Sequence, residues 1–240
     1  RVSKDSSFEL DMSYFSFHHS PDQTFNARFV DLFGPPRDPR AFFFTPATGY
    51  PSYFGDKPEN YSQLGKENQH YADIAASIQT VTEEVLLAMA RQIHKEFGVK
   101  RLCMAGGVAL NSVANGRILR ETPIEELYIQ PSAGDGGGAI GAALYAYHTV
   151  LGKPRQFVME HAYWGQEHDA GDTEAFLKQN GIPYERLDQE EKLIERVVDN
   201  LQGGKVVGWS QGKFEWGPRA LGNRSILADP RRTEMKDIVN

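Results

Sequence analysis

The residues of this sequence that can do chemistry sit in three glycine-rich stretches. The densest runs from Trp209 to Ser225 and places Lys213, Arg219 and Arg224 within a dozen residues, punctuated by glycines and Pro218. Arginine forks match phosphate and carboxylate oxygens in bidentate fashion, so the trio reads as a small anion pocket. The alternative reading pairs the same cations with Glu215 and Asp229 on the surface. No P-loop is present: Gly208 precedes Gly212 by too few residues, and Phe214 follows Lys213. The second stretch holds Gly106, Gly107, Val108 and, one helical turn on, Asn111. A helix N-terminus offers unpaired N–H groups and a positive dipole end, and glycines let a phosphate or ribose approach the backbone. Asn111 can donate to a hydroxyl or phosphate oxygen there. Equally, the glycines can serve only the dihedrals of a tight strand-to-helix connection.

In the third stretch Asp135 stands among Gly134, Gly136, Gly137 and Gly138. A lone carboxylate at such a tip can ligate a hard cation, orient a ligand hydroxyl or cap a helix. Residues 136–141 also spell GxGxxG, with Glu160 about twenty residues on as a ribose acid, which raises a dinucleotide-binding alternative. The absence of a visible βαβ continuation weighs against it. His18, His19 and the other histidines lack an H-x-x-x-H or H-E-x-x-H spacing, and Cys103 reads as an inert core thiol in an apolar run.

The elements that must position these stretches follow from periodicity. Residues 101–105 and 126–130 are short strand-like runs, each ending in a glycine turn that opens a helix, at 108–119 and 139–147; strand, turn and helix twice over predict α/β architecture. Before them, Ile74, Ile78, Val81, Val85, Met89 and Ile93 fall at spacings of three and four, which predicts one apolar stripe down a helix over 70–97 that packs on the core and stops at Gly98. Residues 8–17 alternate loosely enough to hold a strand. The aromatic stretch 41–66, with Phe42, Phe43, Phe44, Tyr50, Tyr53 and Tyr61, either lies near a small-molecule site or caps the core. Residues 152–155 and 160–171 read as a domain joint; beyond it 173–180 and 189–201 are helical and 205–210 a strand.

Composition excludes whole classes of function. Lys and Arg total 26 against 32 Asp and Glu, and the net charge of −6 argues against nucleic acid or an anionic membrane as partner. Hydrophobic residues at 40% are near the globular norm, an aromatic content of 11% is far too high for disorder, and no run approaches a membrane span. One cysteine permits no internal disulfide, which fits a reducing, cytoplasmic setting. The chain begins at Arg1 and ends at Asn240 inside what reads as the first turns of a helix, so it is expected to be a piece of a longer protein.

Taken in order, the motifs resemble one family. SIQ at 77–79 with Thr82 and Glu83, LCMAGGVALN at 102–111 with Asn115 and Gly116, QPSAGDGGGAIGAA at 130–143 and GPRALGNRS at 217–225 are similar to the NodU/CmcH-type O-carbamoyltransferases of nodulation and antibiotic tailoring, over roughly residues 5–240. The resemblance implies an actin/Hsp70-like, Kae1-like lobe, its C-terminal part at 1–155, followed by the front of a YrdC-like α/β domain at 163–240. It implies ATP-dependent transfer of a carbamoyl group from carbamoyl phosphate, through carbamoyl-adenylate, to a hydroxyl of a sugar- or antibiotic-like acceptor. Gly106, Gly107, Val108, Asn111, Gly136 and Gly137 would then line the nucleotide site, and Lys213, Arg219 and Arg224 the carbamoyl-phosphate and ATP pocket. Asp135 would ligate a divalent metal, iron, whose histidine ligands match nothing in these residues. A homodimer stays open, and the piece alone is expected to be inactive. The rivals are a dinucleotide-dependent enzyme using residues 136–141 and a non-catalytic Kae1-like nucleotide-binding scaffold.

Overall fold

The computed structural model describes residue 3 and residues 7–51, 54–232 and 234–239. The chain divides into two compact units, Arg1–Met104 with Asn111–Tyr128, and Ala105–Leu110 with Ile129–Asn240. Both mix helices with a two-stranded sheet, so the α/β expectation holds at that level.

In the first unit the strand expected over residues 8–17 does not form. Asp11 accepts a hydrogen bond from the Ser13 N–H and caps a 3-10 turn at Met12–Tyr14, and Phe15 makes an isolated bridge to Phe25 instead of a ladder. A short acidic side chain bonded two residues on offers the backbone an alternative to a ladder. Helix α1 (Ala27–Phe33) follows, capped by Asn26, and stacks Phe29 against Phe25 and Phe33 at 5.1 and 4.6 Å. The aromatic stretch is tied together by its own rings: Phe42 stacks on Phe54 at 4.2 Å, and buried Phe44 meets Tyr50 edge-on. Tyr53, named with them, lies outside the described residues.

Helix α2 spans Tyr61–Phe97, starting earlier than its periodicity predicts, and Gly98 closes it in the left-handed conformation at φ 65°. The face that packs is not the predicted stripe. Leu87 and Ala90 are buried with Ile118 and Ile124, flanked by Leu86, Leu102 and Met104, whereas Ile78 is 62% exposed and Val81 47%. The packed face carries Glu83, buried because Arg117 neutralises it, and a hydrophobicity pattern gives no credit to a paired charge. Strands β1 (Arg101–Met104) and β2 (Glu126–Ile129) pair, with helix α3 (Ser112–Glu121) between them in sequence. Leu102 and Met104 turn inward and Arg101 and Cys103 outward, so Cys103 is exposed and not a core thiol. Burying Ile118 and Ile124 contributes about 1.5–3 kcal/mol each.

The second unit begins with a 3-10 turn at Gly107–Leu110 where the sequence predicts helix; α3 starts only at Ser112. A 3-10 turn at Asp135–Gly137 runs into helix α4 (Gly138–Tyr145), which loosens into a π-helical turn at Ala146–Val150. Helices α5 (Ala170–Gln179) and α6 (Glu190–Gln202) precede strands β3 (Val207–Ser210) and β4 (Arg224–Leu227). These pair antiparallel, Val207 opposite Leu227 and Ser210 opposite Arg224, and helix α7 (Met235–Val239) follows. Among the described residues no helix is long and apolar enough to cross a membrane.

Candidate functional site

Within the second unit the three glycine stretches meet. The Gly106 N–H donates to the Ala133 carbonyl at 2.8 Å, tying the first turn to the second. Gly106 holds φ 99°, a conformation that glycine reaches at little cost. Gly217, at φ 112°, lies so close to the second turn that a side chain there would meet the Pro131 carbonyl and come within 3.2 Å of the Ser132 nitrogen. The third stretch closes on the first through Arg219, whose Nη2 donates to the Leu110 carbonyl at 2.8 Å across 109 positions of sequence. Main-chain groups make two of these junctions, and glycine is what lets the backbones come together.

Glu215 shapes the loop that carries Arg219. Its Oε1 accepts from the backbone N–H groups of Leu221, Asn223 and Arg224 at 2.9, 2.8 and 3.0 Å. Burial pushes its carboxyl up, but these N–H groups and its own pull harder the other way and hold the pKa at about 2, against an ordinary 4.5. The surface pairing with cations is thus not what Glu215 does, and Asp229 pairs with Arg231, outside the trio. The sequence missed this anchor; its one signal was a carboxylate two residues ahead of a glycine–proline turn.

Arg224 sits elsewhere in the unit. Its Nη1 donates to the Gln211 and Asn223 carbonyls at 2.7 and 2.8 Å and its Nη2 to Gly212 at 3.1 Å, while the guanidinium lies 4.0 Å over the Phe214 ring. It lines an open cavity of about 980 Å³ together with Asp169, Glu174 and Asp188, the last two paired with Arg186 in the same lining. Glu174 is held near pKa 2 by Lys178 and Tyr184. Lys213 is exposed and bridges Glu167 through its backbone. Arg219 is therefore brought to the glycine turns, and Arg224 to a separate cavity lined by charged side chains of both signs.

Val108 is exposed, as are Asp135 and Gly136, whereas Gly137 is buried with no room for a side chain against Gln130 and Ser132. Asn111 belongs to the first unit and is the N-cap of α3, accepting from the Ala114 N–H at 3.1 Å, not a residue one turn inside the helix. For a metal the described residues do not fit. Asp135 is an exposed carboxylate by itself, and among the described residues no three His, Cys, Asp or Glu side chains gather into a ligand group. Nor does GxGxxG at 136–141 stand in a dinucleotide fold. After α4 the next described strand is β3, whose partner is β4 and not β2.

Comparison with known sequences decides the family. Residues 2–144 match the family model of the carbamoyltransferase N-terminus and residues 198–240 that of the carbamoyltransferase C-terminus. The chain belongs to the carbamoyltransferase family. Among its relatives, an uncharacterized protein of Synechocystis is 43% identical over 98% of this chain and 35% of its own. Nodulation protein NolO of Bradyrhizobium diazoefficiens is 39% identical over 72% of this chain and 31% of its own. The 3'-hydroxymethylcephem-O-carbamoyltransferase of Streptomyces clavuligerus is 31% identical over 70% and 30%. The carbamoyltransferase chain described here thus spans about a third of the length of these curated relatives. Its meeting glycine stretches fall at the end of the first matched region, within the second, and in Ala105–Leu110.

Proposed function

We propose that the full-length protein is an O-carbamoyltransferase that moves a carbamoyl group from carbamoyl phosphate to a hydroxyl of a small-molecule acceptor at the expense of ATP. Water cleaves the carbonyl–phosphate linkage of carbamoyl phosphate, giving carbamate and phosphate; a carbamate oxygen then attacks the α-phosphorus of ATP, forming carbamoyl-adenylate and releasing pyrophosphate. The acceptor hydroxyl then attacks the carbamoyl carbon, AMP leaves, and the hydroxyl proton passes to a base or to solvent. Positioning and charge stabilisation at the phosphates are the protein's tasks in such a sequence.

The observation that carries this reading is the closure of GPRALG onto the first glycine turn by the Arg219–Leu110 bond. It draws a cation to N–H-rich backbone of the kind that receives phosphates. Gly106, Gly107, Val108, Asn111, Gly136 and Gly137 are assigned to the nucleotide, and Lys213, Arg219 and Arg224 to the phosphates of donor and ATP. The resemblance would make Asp135 a metal ligand, but the described residues supply it no companion ligands, so no step is assigned to a metal here. By the same resemblance residues 1–155 belong to an actin/Hsp70-like, Kae1-like lobe and 163–240 to a YrdC-like domain. The 240-residue chain alone is expected not to turn over.

Incubating the full-length protein with carbamoyl phosphate, ATP and a hydroxyl acceptor, and following phosphate, pyrophosphate and AMP, tests the reading. Carbamoyl phosphate-dependent release of all three supports it. Carbamoylation that proceeds equally without ATP refutes the adenylate route, and ATP turnover indifferent to carbamoyl phosphate refutes the transferase.

A further inference from the structure

In the first unit a chain of hydrogen bonds runs from the cap of α3 back into α2. Asn111 Oδ1 accepts from the Ala114 N–H at 3.1 Å and from Gln79 Nε2 at 3.2 Å, and Asn111 Nδ2 donates to Gln79 Oε1 at 3.0 Å. Gln79 Nε2 donates its other proton to Glu83 Oε1 at 2.6 Å. Glu83 Oε2 accepts from Arg117 Nη1 at 2.7 Å, and Arg117 also holds Glu121.

The two ends of this chain dictate its polarity. A backbone N–H only donates, so Asn111 must turn its oxygen to Ala114. An ionised carboxylate only accepts, so Gln79 must turn its NH₂ to Glu83. With both amides oriented, Asn111 Oδ1 has both lone pairs filled and one Nδ2 proton is spent on Gln79 Oε1. One N–H is left.

We infer that Gln79 and Glu83 are positioning residues, locking Asn111 so that it presents a single N–H donor to its ligand and no acceptor. This rests on the assignment of Asn111 to the nucleotide made above. It deepens that assignment by fixing the partner as an acceptor atom, a phosphate or ribose oxygen, and it gives the SIQ and Thr82–Glu83 motif a task. Glu83, buried on the packed face of α2 and neutralised by Arg117, supplies the fixed acceptor that this lock uses.

The test uses the full-length protein and the α,β-methylene analogue of ATP, which cannot transfer its adenylyl group. Asn111→Asp keeps both acceptor roles of the cap and removes the donor, setting its second oxygen against Gln79 Oε1; it should weaken analogue binding at least tenfold while the protein stays folded at the assay temperature. Glu83→Gln frees Gln79 to turn over, and should raise the KM for ATP several-fold while kcat and the KM for carbamoyl phosphate stay put. A general structural lesion would move all three. In protein labelled with 15N-asparagine, one Asn111 amide proton should exchange slowly and the other fast until the analogue protects it. Two equally fast protons overturn the lock. Analogue binding unchanged in Asn111→Asp overturns the donor role while leaving the nucleotide reading intact. A wild type that does not bind the analogue overturns the nucleotide reading and the donor role with it.

Discussion

Two carboxylates organise the two units, and they do so by different means. Glu83 is met by side chains, Gln79 and Arg117, which come from two helices and are specified by residue identity. Glu215 is met by three main-chain N–H groups of one loop, which any sequence able to follow that path would supply. The first arrangement orients a functional group, and the second holds a backbone in shape. The first unit should therefore be sensitive to the identity of its polar partners and the volume of its core, and the second to the freedom of its glycines.

The sharpest contrast comes from removing bulk. Ile118→Ala leaves a cavity in the cluster it forms with Leu87, Ala90 and Ile124 and should destabilise the first unit by about 2–5 kcal/mol in urea denaturation. A loss well under 1 kcal/mol would mean that the polar chain, and not the core, holds this unit. Gly217→Ala adds a single methyl in a left-handed conformation against the Pro131 carbonyl. About 1–3 kcal/mol of strain is expected, read as a lowered melting temperature. No change there would show that the glycine stretches do not meet closely.

Acid separates the two designs further. Glu215 has a folded pKa of about 2, below its ordinary 4.5, so its contribution to stability is whole above about pH 4.5 and lost as pH falls toward 2. Glu215→Gln keeps an acceptor oxygen and abolishes the titration. Melting temperatures between pH 5 and pH 3 should fall less in this variant than in the wild type, and equal slopes would contradict the backbone-held carboxylate. The smallest effect is expected at Lys213. Its side chain is exposed, so Lys213→Ala should leave stability within about 0.5 kcal/mol, while weakening carbamoyl phosphate binding if its assigned role holds.

Much of the framework was legible. The strands at 101–104 and 126–129, the stop at Gly98 and the helices beyond residue 170 follow from period and punctuation, which are local signals. The packed face of α2 was not legible, because Ile78 and Val81 carry the apolar signal whereas Glu83 carries the burial, and burial came from a partner 34 positions away. The site was legible as three motifs and illegible as a place. Nothing in the sequence shows that Arg219 reaches Leu110 or that Arg224 turns to another cavity, since both are decided by contacts distant in sequence. Asn111 was found for its residue type, and its orientation emerged only with Gln79 beside it.

The central claim is that Arg219, drawn to the glycine turns, serves the phosphates of a carbamoyl transfer. Pyrophosphate release by the full-length protein, with ATP and carbamoyl phosphate supplied, tests it most directly when wild type is set beside Arg219→Ala at matched melting temperature. A fall of roughly a hundredfold or more is predicted, the scale of losing one preorganised donor at developing charge. Pyrophosphate released at the wild-type rate by Arg219→Ala would contradict the account.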